Sequence, residues 1–284
     1  MRGSIPLAAL LLTSALALRA SEGDTRTLPF CLYADGDIVV PVTIDGVGPF
    51  AFLMDTGSSR TTVSDEIARR LDLGVVAHTV MVTPSGMASR PLVPLVRVRM
   101  GVAPPATVLA MVVPREGLAG GRAIDGIIGQ DILALRTYTI DYERRSLTWH
   151  GASPHELPGT RLPLELRDGV LLISLPQTSS APALRLIPDS GADGFVLFAR
   201  DGQTLPQMTT LDTVGLRTLS GERPARRVML EALAVGEIQL RNQMALVVDD
   251  GETDAALADG LLPLHLFARV TFNGPQRLLI VEAR

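Results

Sequence analysis

Two short runs carry residue types that can do acid–base chemistry together: Asp55-Thr56-Gly57-Ser58 and Asp189-Ser190-Gly191. Each presents a carboxyl, then a hydroxyl, then a glycine. Each follows an apolar stretch, Phe52-Leu53-Met54 in one case and Leu186-Ile187-Pro188 in the other. Two carboxyls held close together cannot both ionise cheaply, so such a pair shares a proton. The ionised member can take a proton from water while the protonated member polarises a carbonyl. That combination would hydrolyse an amide with no metal, no cofactor and no covalent intermediate. It needs each Asp on a tight turn at a strand end. Gly57 and Gly191 permit close backbone approach, and Thr56 and Ser190 can brace the turns by hydrogen bonding. A single Asp-x-Gly would read as an ordinary turn; the repetition of its surroundings sets this pair apart.

The repetition runs through most of the chain. Asp189 answers Asp55, Ser220-Gly221 answers Ser85-Gly86, and Asp259-Gly260-Leu261-Leu262 answers Asp125-Gly126-Ile127-Ile128. Each pair is separated by 134 or 135 residues. A period of that size marks a duplicated lobe and not a solenoid. Two lobes are expected, residues 28–150 and 161–284, joined by a linker at 151–160 with the Gly/Pro/Ser composition of a loop.

The elements that must position the carboxyls follow from periodicity. Ile38, Val40, Val42 and Ile44 alternate with Val39, Pro41 and Thr43, a strand pattern closed by Asp45-Gly46. A second strand, 49–54, runs into Asp55. Ser64 is a helix N-cap with Asp65 and Glu66 in the first turn and Gly74 as the stop. Strands are expected near 75–82, 92–100, 107–113, 138–141, 146–149 and 170–175. Gly117–Gly121 reads as a flexible loop, and Asp125 and Asp259 as structural turn residues. Pro188 suits an edge or bulge better than a central strand. Pro263 stands where the first lobe has Gly129, so the loop beneath Asp189 should differ from that beneath Asp55.

Bulk properties narrow the partners. The 284 residues carry a formal net charge of −4, which disfavours nucleic acid as a partner. Residues 1–20 have the charged start, short apolar run and small-residue site of a secretory signal. Export to a bacterial periplasm or the exterior is therefore expected, with no stable membrane span after cleavage. Cys31 is the lone cysteine, read as a buried or idle thiol. The four histidines, at 78, 150, 155 and 265, lack metal-ligand spacing.

At Phe52–Ser59 and at Asp125-Gly126-Ile127-Ile128-Gly129-Gln130-Asp131-Ile132-Leu133 the chain resembles the retropepsin-like and pepsin-like aspartic proteases. The resemblance implies a mostly-β fold of two tandem acid-protease lobes with a cleft between them, and a peptide or protein substrate. It implies a dyad of Asp55 and Asp189, supported by Thr56, Gly57, Ser58, Ser190 and Gly191. It also implies a flap hairpin from each lobe, at Met81–Arg90 with Ser85-Gly86 at the tip and at Gly215–Arg223 with Ser220-Gly221 at the tip. The expected function is aspartic endopeptidase in a monomer. The alternatives are an inactive peptide-binding pseudoprotease and a homodimer using Asp55 from two chains.

Overall fold

The computed structural model describes residues 27–284 except 34–35, 84–85, 122, 151–156, 178–181, 201–203, 219–220 and 250–256. The protein is mostly β and is built from two tandem lobes. In the first, eight strands lie in the order Cys31–Leu32, Ile38–Ile44, Val47–Met54, Gly126–Ile128, Thr62–Ser64, Ala106–Val113, Gly86–Met100 and Ala77–Thr83. In the second, the order is Glu165–Arg167, Val170–Leu175, Leu184–Asp189, Gly260–Pro263, Phe195–Ala199, Ile238–Asp249, Gly221–Val235 and Met208–Thr218. Taken strand by strand, the two sheets have the same connectivity. The sequence repeat is therefore a repeat of fold.

A third sheet of six strands joins the lobes. Its central pair is Thr137–Asp141 from the first lobe against Arg269–Asn273 from the second, antiparallel. Thr139 faces Thr271 at the middle of that pair, with their hydroxyls 2.7 Å apart. Tyr138 stacks on Phe272 at 5.1 Å, and Trp149 packs against Tyr138 at 5.4 Å. Buried side chains from both lobes form one continuous apolar cluster through this sheet. Burial of that size holds the lobes as one body. The strand Thr160–Pro163 begins on the last residue of the expected linker and pairs with Leu278–Glu282.

Local structure departs from the sequence expectations in four places. The helix capped by Ser64 spans Asp65–Arg70, and the Ser64 hydroxyl accepts the Ile67 N–H at 3.2 Å. It ends before Gly74, where Asp72 takes a left-handed conformation with φ 51°. Residues Arg115–Gly121 form a 3-10 helix and not a plain loop. Fully buried Leu118 anchors it in a second apolar cluster with Val39, Leu53 and Ile127. Cys31 is exposed, because its neighbour Phe30 takes the inward position.

Pro188 is the fourth departure. It lies in an interior strand, between Val170–Leu175 and Gly260–Pro263. Pairing with the Val170–Leu175 strand ends at Leu186, so at Pro188 only the parallel partner Leu262 remains alongside. The Pro188 carbonyl points away from the ladder, at the other lobe. In a strand a residue's N–H and C=O point the same way. The donor that proline lacks is thus one the ladder does not need.

Candidate active site

Asp55 and Asp189 stand at the ends of equivalent strands. Val47–Met54 pairs in parallel with Gly126–Ile128, and Leu184–Asp189 pairs in parallel with Gly260–Pro263. Behind each strand an aspartate does structural work. The Asp125 carboxylate accepts the Ala51 N–H at 2.9 Å, and the Asp259 carboxylate accepts the Arg185 N–H at 2.8 Å. Both act as the structural turn residues expected of them.

The two site carboxyls meet across the lobe junction, each against the glycine of the opposite loop, and interact directly. Burial pushes both above the usual carboxylate range, and the Asp55 charge raises Asp189 further. The surroundings separate the two members. Asp55 Oδ1 accepts the N–H groups of Gly57 at 2.8 Å and Ser58 at 2.9 Å. Asp189 Oδ1 accepts only the Gly191 N–H among its own loop's amides, at 2.7 Å. Donated N–H groups favour the ionised form. Asp55 is thus the better-supported anion and Asp189 the natural holder of the shared proton.

Glycine follows at the positions where the lobes touch. A Cβ on Gly57 would lie 2.5 Å from the Asp189 carboxyl carbon, and one on Gly191 would lie 3.0 Å from that of Asp55. Each glycine makes room for the carboxyl of the opposite lobe. The two hydroxyls are also crossed. Thr56 Oγ1 donates to the Pro188 carbonyl at 2.7 Å, and Ser190 Oγ donates to the Met54 carbonyl at 2.7 Å. Thr56 N–H donates to Ser190 Oγ at 3.1 Å, and Ser190 N–H donates to Thr56 Oγ1 at 2.9 Å. All four bonds are buried and all run between lobes. The hydroxyls expected to brace their own turns brace the opposite ones instead.

The cradles beneath the two loops differ. In the first lobe, Gln130 Nε2 donates to the Thr56 carbonyl at 2.7 Å and Gln130 N–H to the Ser58 carbonyl at 2.8 Å. Gly129 is required there, since a Cβ would meet the Arg60 backbone at 2.6 Å. Asp131 Oδ1 ties down Thr61 through its N–H at 2.9 Å and its hydroxyl at 2.7 Å. In the second lobe Pro263 stands in register with Asp189 and leads into a 3-10 turn, Leu264–Leu266. The apolar Leu264 is buried there. Proline thus changes the underside of the loop, as expected, while the four crossed bonds keep its upper side.

The expected flap regions are hairpins. Ala77–Thr83 pairs with Gly86–Met100, closing at Thr83 and Gly86, and Met208–Thr218 pairs with Gly221–Val235, closing at Thr218 and Gly221. Ser85 and Ser220 lie outside the described residues. Two residues near the site carried no signal in their own types. Asp37 is buried and electrostatically coupled to Asp55, and the His265 ring lies against Gly36. No helix among the described residues is long and apolar enough to cross a membrane.

Residues 40–132 and 179–264 match the model of a family described as aspartyl protease. The two matched stretches cover more than half of the chain, one in each lobe, and the protein belongs to that family. No curated protein gives a significant match.

Proposed function

We propose that this protein is an aspartic endopeptidase whose catalytic residues are Asp55 and Asp189. The observation that carries the reading is the meeting of these carboxyls from opposite lobes of one chain, each against the other loop's glycine, in a buried site that raises both above the usual carboxylate range. A water between them loses a proton to ionised Asp55 as its oxygen attacks the scissile carbonyl carbon. Asp189 donates its proton to the carbonyl oxygen, giving a neutral tetrahedral diol. Proton transfer to the amide nitrogen and cleavage of the C–N bond release an acid and an amine and restore the shared proton. The hairpins ending at Gly86 and Gly221 serve as flaps over the peptide.

The partner of Asp55 lies in the same chain, which supports a monomeric enzyme over a dyad assembled from two chains. Export is inferred from residues 1–20 alone, and sequencing the N-terminus of the mature protein tests it. Catalysis is tested with Asp55→Asn and Asp189→Asn in cleavage of a peptide library across acid to neutral pH. Both variants should lose at least about 10³-fold in rate. Full activity in Asp189→Asn would reject the intramolecular dyad, and an inert wild type that still binds peptides would make the protein a binding module.

A further inference from the structure

The two halves of the dyad differ in what faces them across the sheet. In the first lobe the strands Ile38–Ile44 and Val47–Met54 run antiparallel with Val39 opposite Leu53. Continuing that register by two residues sets Asp37 opposite Asp55. In the second lobe, Ile173 stands opposite Leu186. That pairing ends there, three residues short of Asp189. Directly opposed residues on antiparallel strands have Cβ atoms about 5 Å apart, and like charges there repel. The lobes therefore match in fold, but the pairing that leads to Asp37 and Asp55 in the first lobe stops short of Asp189 in the second.

We propose that Asp37 is a positioning residue that acts through the dyad: its carboxylate, facing Asp55, holds the shared proton on the pair to higher pH and extends hydrolysis toward neutrality. The inference rests on the peptidase reading of the Asp55–Asp189 pair. Asp37 is buried, with Tyr33 N–H bonded to its carbonyl at 3.0 Å. Its charge acts on Asp55, Asp189, Asp193 and the buried Tyr142 phenol. The His265 ring packs on the adjoining Gly36 and bonds the Ala192 backbone, and Arg284 is the cation whose field reaches both Tyr142 and His265.

Burial, the Asp55 charge and the Asp193 charge together push Asp37 up to about 6. Below that pH it is neutral and leaves the pair alone. Above it, a negative charge beside that of the ionised dyad member opposes loss of the pair's last proton, so the singly protonated dyad survives further into the neutral range.

The pH profile of kcat/KM separates this from a purely structural role. In Asp37→Asn the alkaline midpoint should fall by about one pH unit, with the acid limb unmoved, and Asp37→Glu should keep the wild-type midpoint. Carbon-13 titration of the aspartate carboxyls should show the same displacement in the last proton of the pair. An unmoved midpoint in folded Asp37→Asn overturns the proposal. If that variant does not fold, carboxyl titration of the wild type decides: Asp37 should ionise before the pair loses its last proton, and loss of that proton before Asp37 ionises overturns the proposal. If the wild type cleaves no peptide, the peptidase reading fails, and the carboxyl titration of wild type against Asp37→Asn still decides the role of Asp37.

Discussion

The Thr56 hydroxyl donates to the Pro188 carbonyl at 2.7 Å, so a side chain of one lobe is fixed to the residue just before the aspartate of the other. Ser190 returns the bond to Met54 at the same length. Together with the two crossed N–H bonds, they set the separation of Asp55 and Asp189. The spacing of the dyad is therefore a property of the lobe–lobe junction. Neither turn alone determines it.

Ser190→Ala tests this junction. It leaves the buried Met54 carbonyl and Thr56 N–H without partners. The expected cost is roughly 2–4 kcal/mol of stability, read as a lower urea midpoint at unchanged slope. Activity should fall by about 10²-fold through misplaced carboxyls. Ser190→Thr keeps the hydroxyl and should retain most of both. Equal stability and rate in Ser190→Ala would show that the crossed bonds do not hold the site.

The two glycines make a graded prediction. A Cβ at Gly57 would overlap the Asp189 carboxyl at 2.5 Å, whereas one at Gly191 would approach that of Asp55 at 3.0 Å. Asp189 cannot retreat freely, because it accepts the Gly191 N–H. Gly57→Ala should therefore lose on the order of 10²-fold or more in kcat/KM, and Gly191→Ala substantially less. The ratio of the two rates on one peptide is the measurement. A reversed order would contradict the geometry.

Much of this was legible in the sequence because the repeat kept Asp55, Asp125, Asp189 and Asp259 at nearly constant separation. Alternation in Ile38–Ile44 likewise gave a strand with its turn. The long-range facts were not legible. Thr56 and Ser190 read as local braces, since nothing in a residue type says which lobe its hydroxyl will reach. Asp37 was hidden by one irregularity. Ile44 opposite Val47 sets a register that would bring Gly36 to Asp55, and the shift between Val42 and Ile44 advances it by one residue. A one-residue slip changes what faces the site, and bulges leave little trace in composition. Pro188 read as an edge residue because sequence does not show that its missing donor would point at the other lobe.

Asp37 also predicts how stability varies with pH. Its ordinary value of 3.8 is raised to about 6 in the folded protein. The folded state thus binds the proton more tightly than the unfolded chain does. The stability this supplies is fully present below about 3.8 and is lost as pH rises through about 6. The difference is on the order of 3 kcal/mol. Asp37→Asn carries no charge to bury, so it should unfold at higher urea than the wild type at pH 7.5. The two should converge below pH 4, where the wild-type carboxyl is protonated. A variant weaker than wild type at both pH values would mean that Asp37 contributes through its bonds and not its charge.

The unequal cradles give the last prediction. Gln130 supports the Asp55 loop by donating to the Thr56 carbonyl at 2.7 Å, while its own Oε1, also buried, has no protein partner. At the corresponding place in the second lobe, after Pro263, stands Leu264, and the Asp189 loop forms without an amide beneath it. Gln130→Leu would give the first lobe the chemistry of the second. It removes one good bond and leaves the Thr56 carbonyl short of a donor, but it also removes a buried acceptor that is itself unpaired. These effects oppose each other, so the net loss should be about 1 kcal/mol. The crossed bonds of Thr56 with Pro188 and Ser190 involve its hydroxyl and N–H, and Gln130 bonds only its carbonyl. Activity in Gln130→Leu should therefore stay within about tenfold of wild type, well above that of Ser190→Ala. Measuring both variants on one peptide ranks the two supports, and a larger loss from Gln130→Leu would move control of the dyad from the lobe junction to the loop cradle.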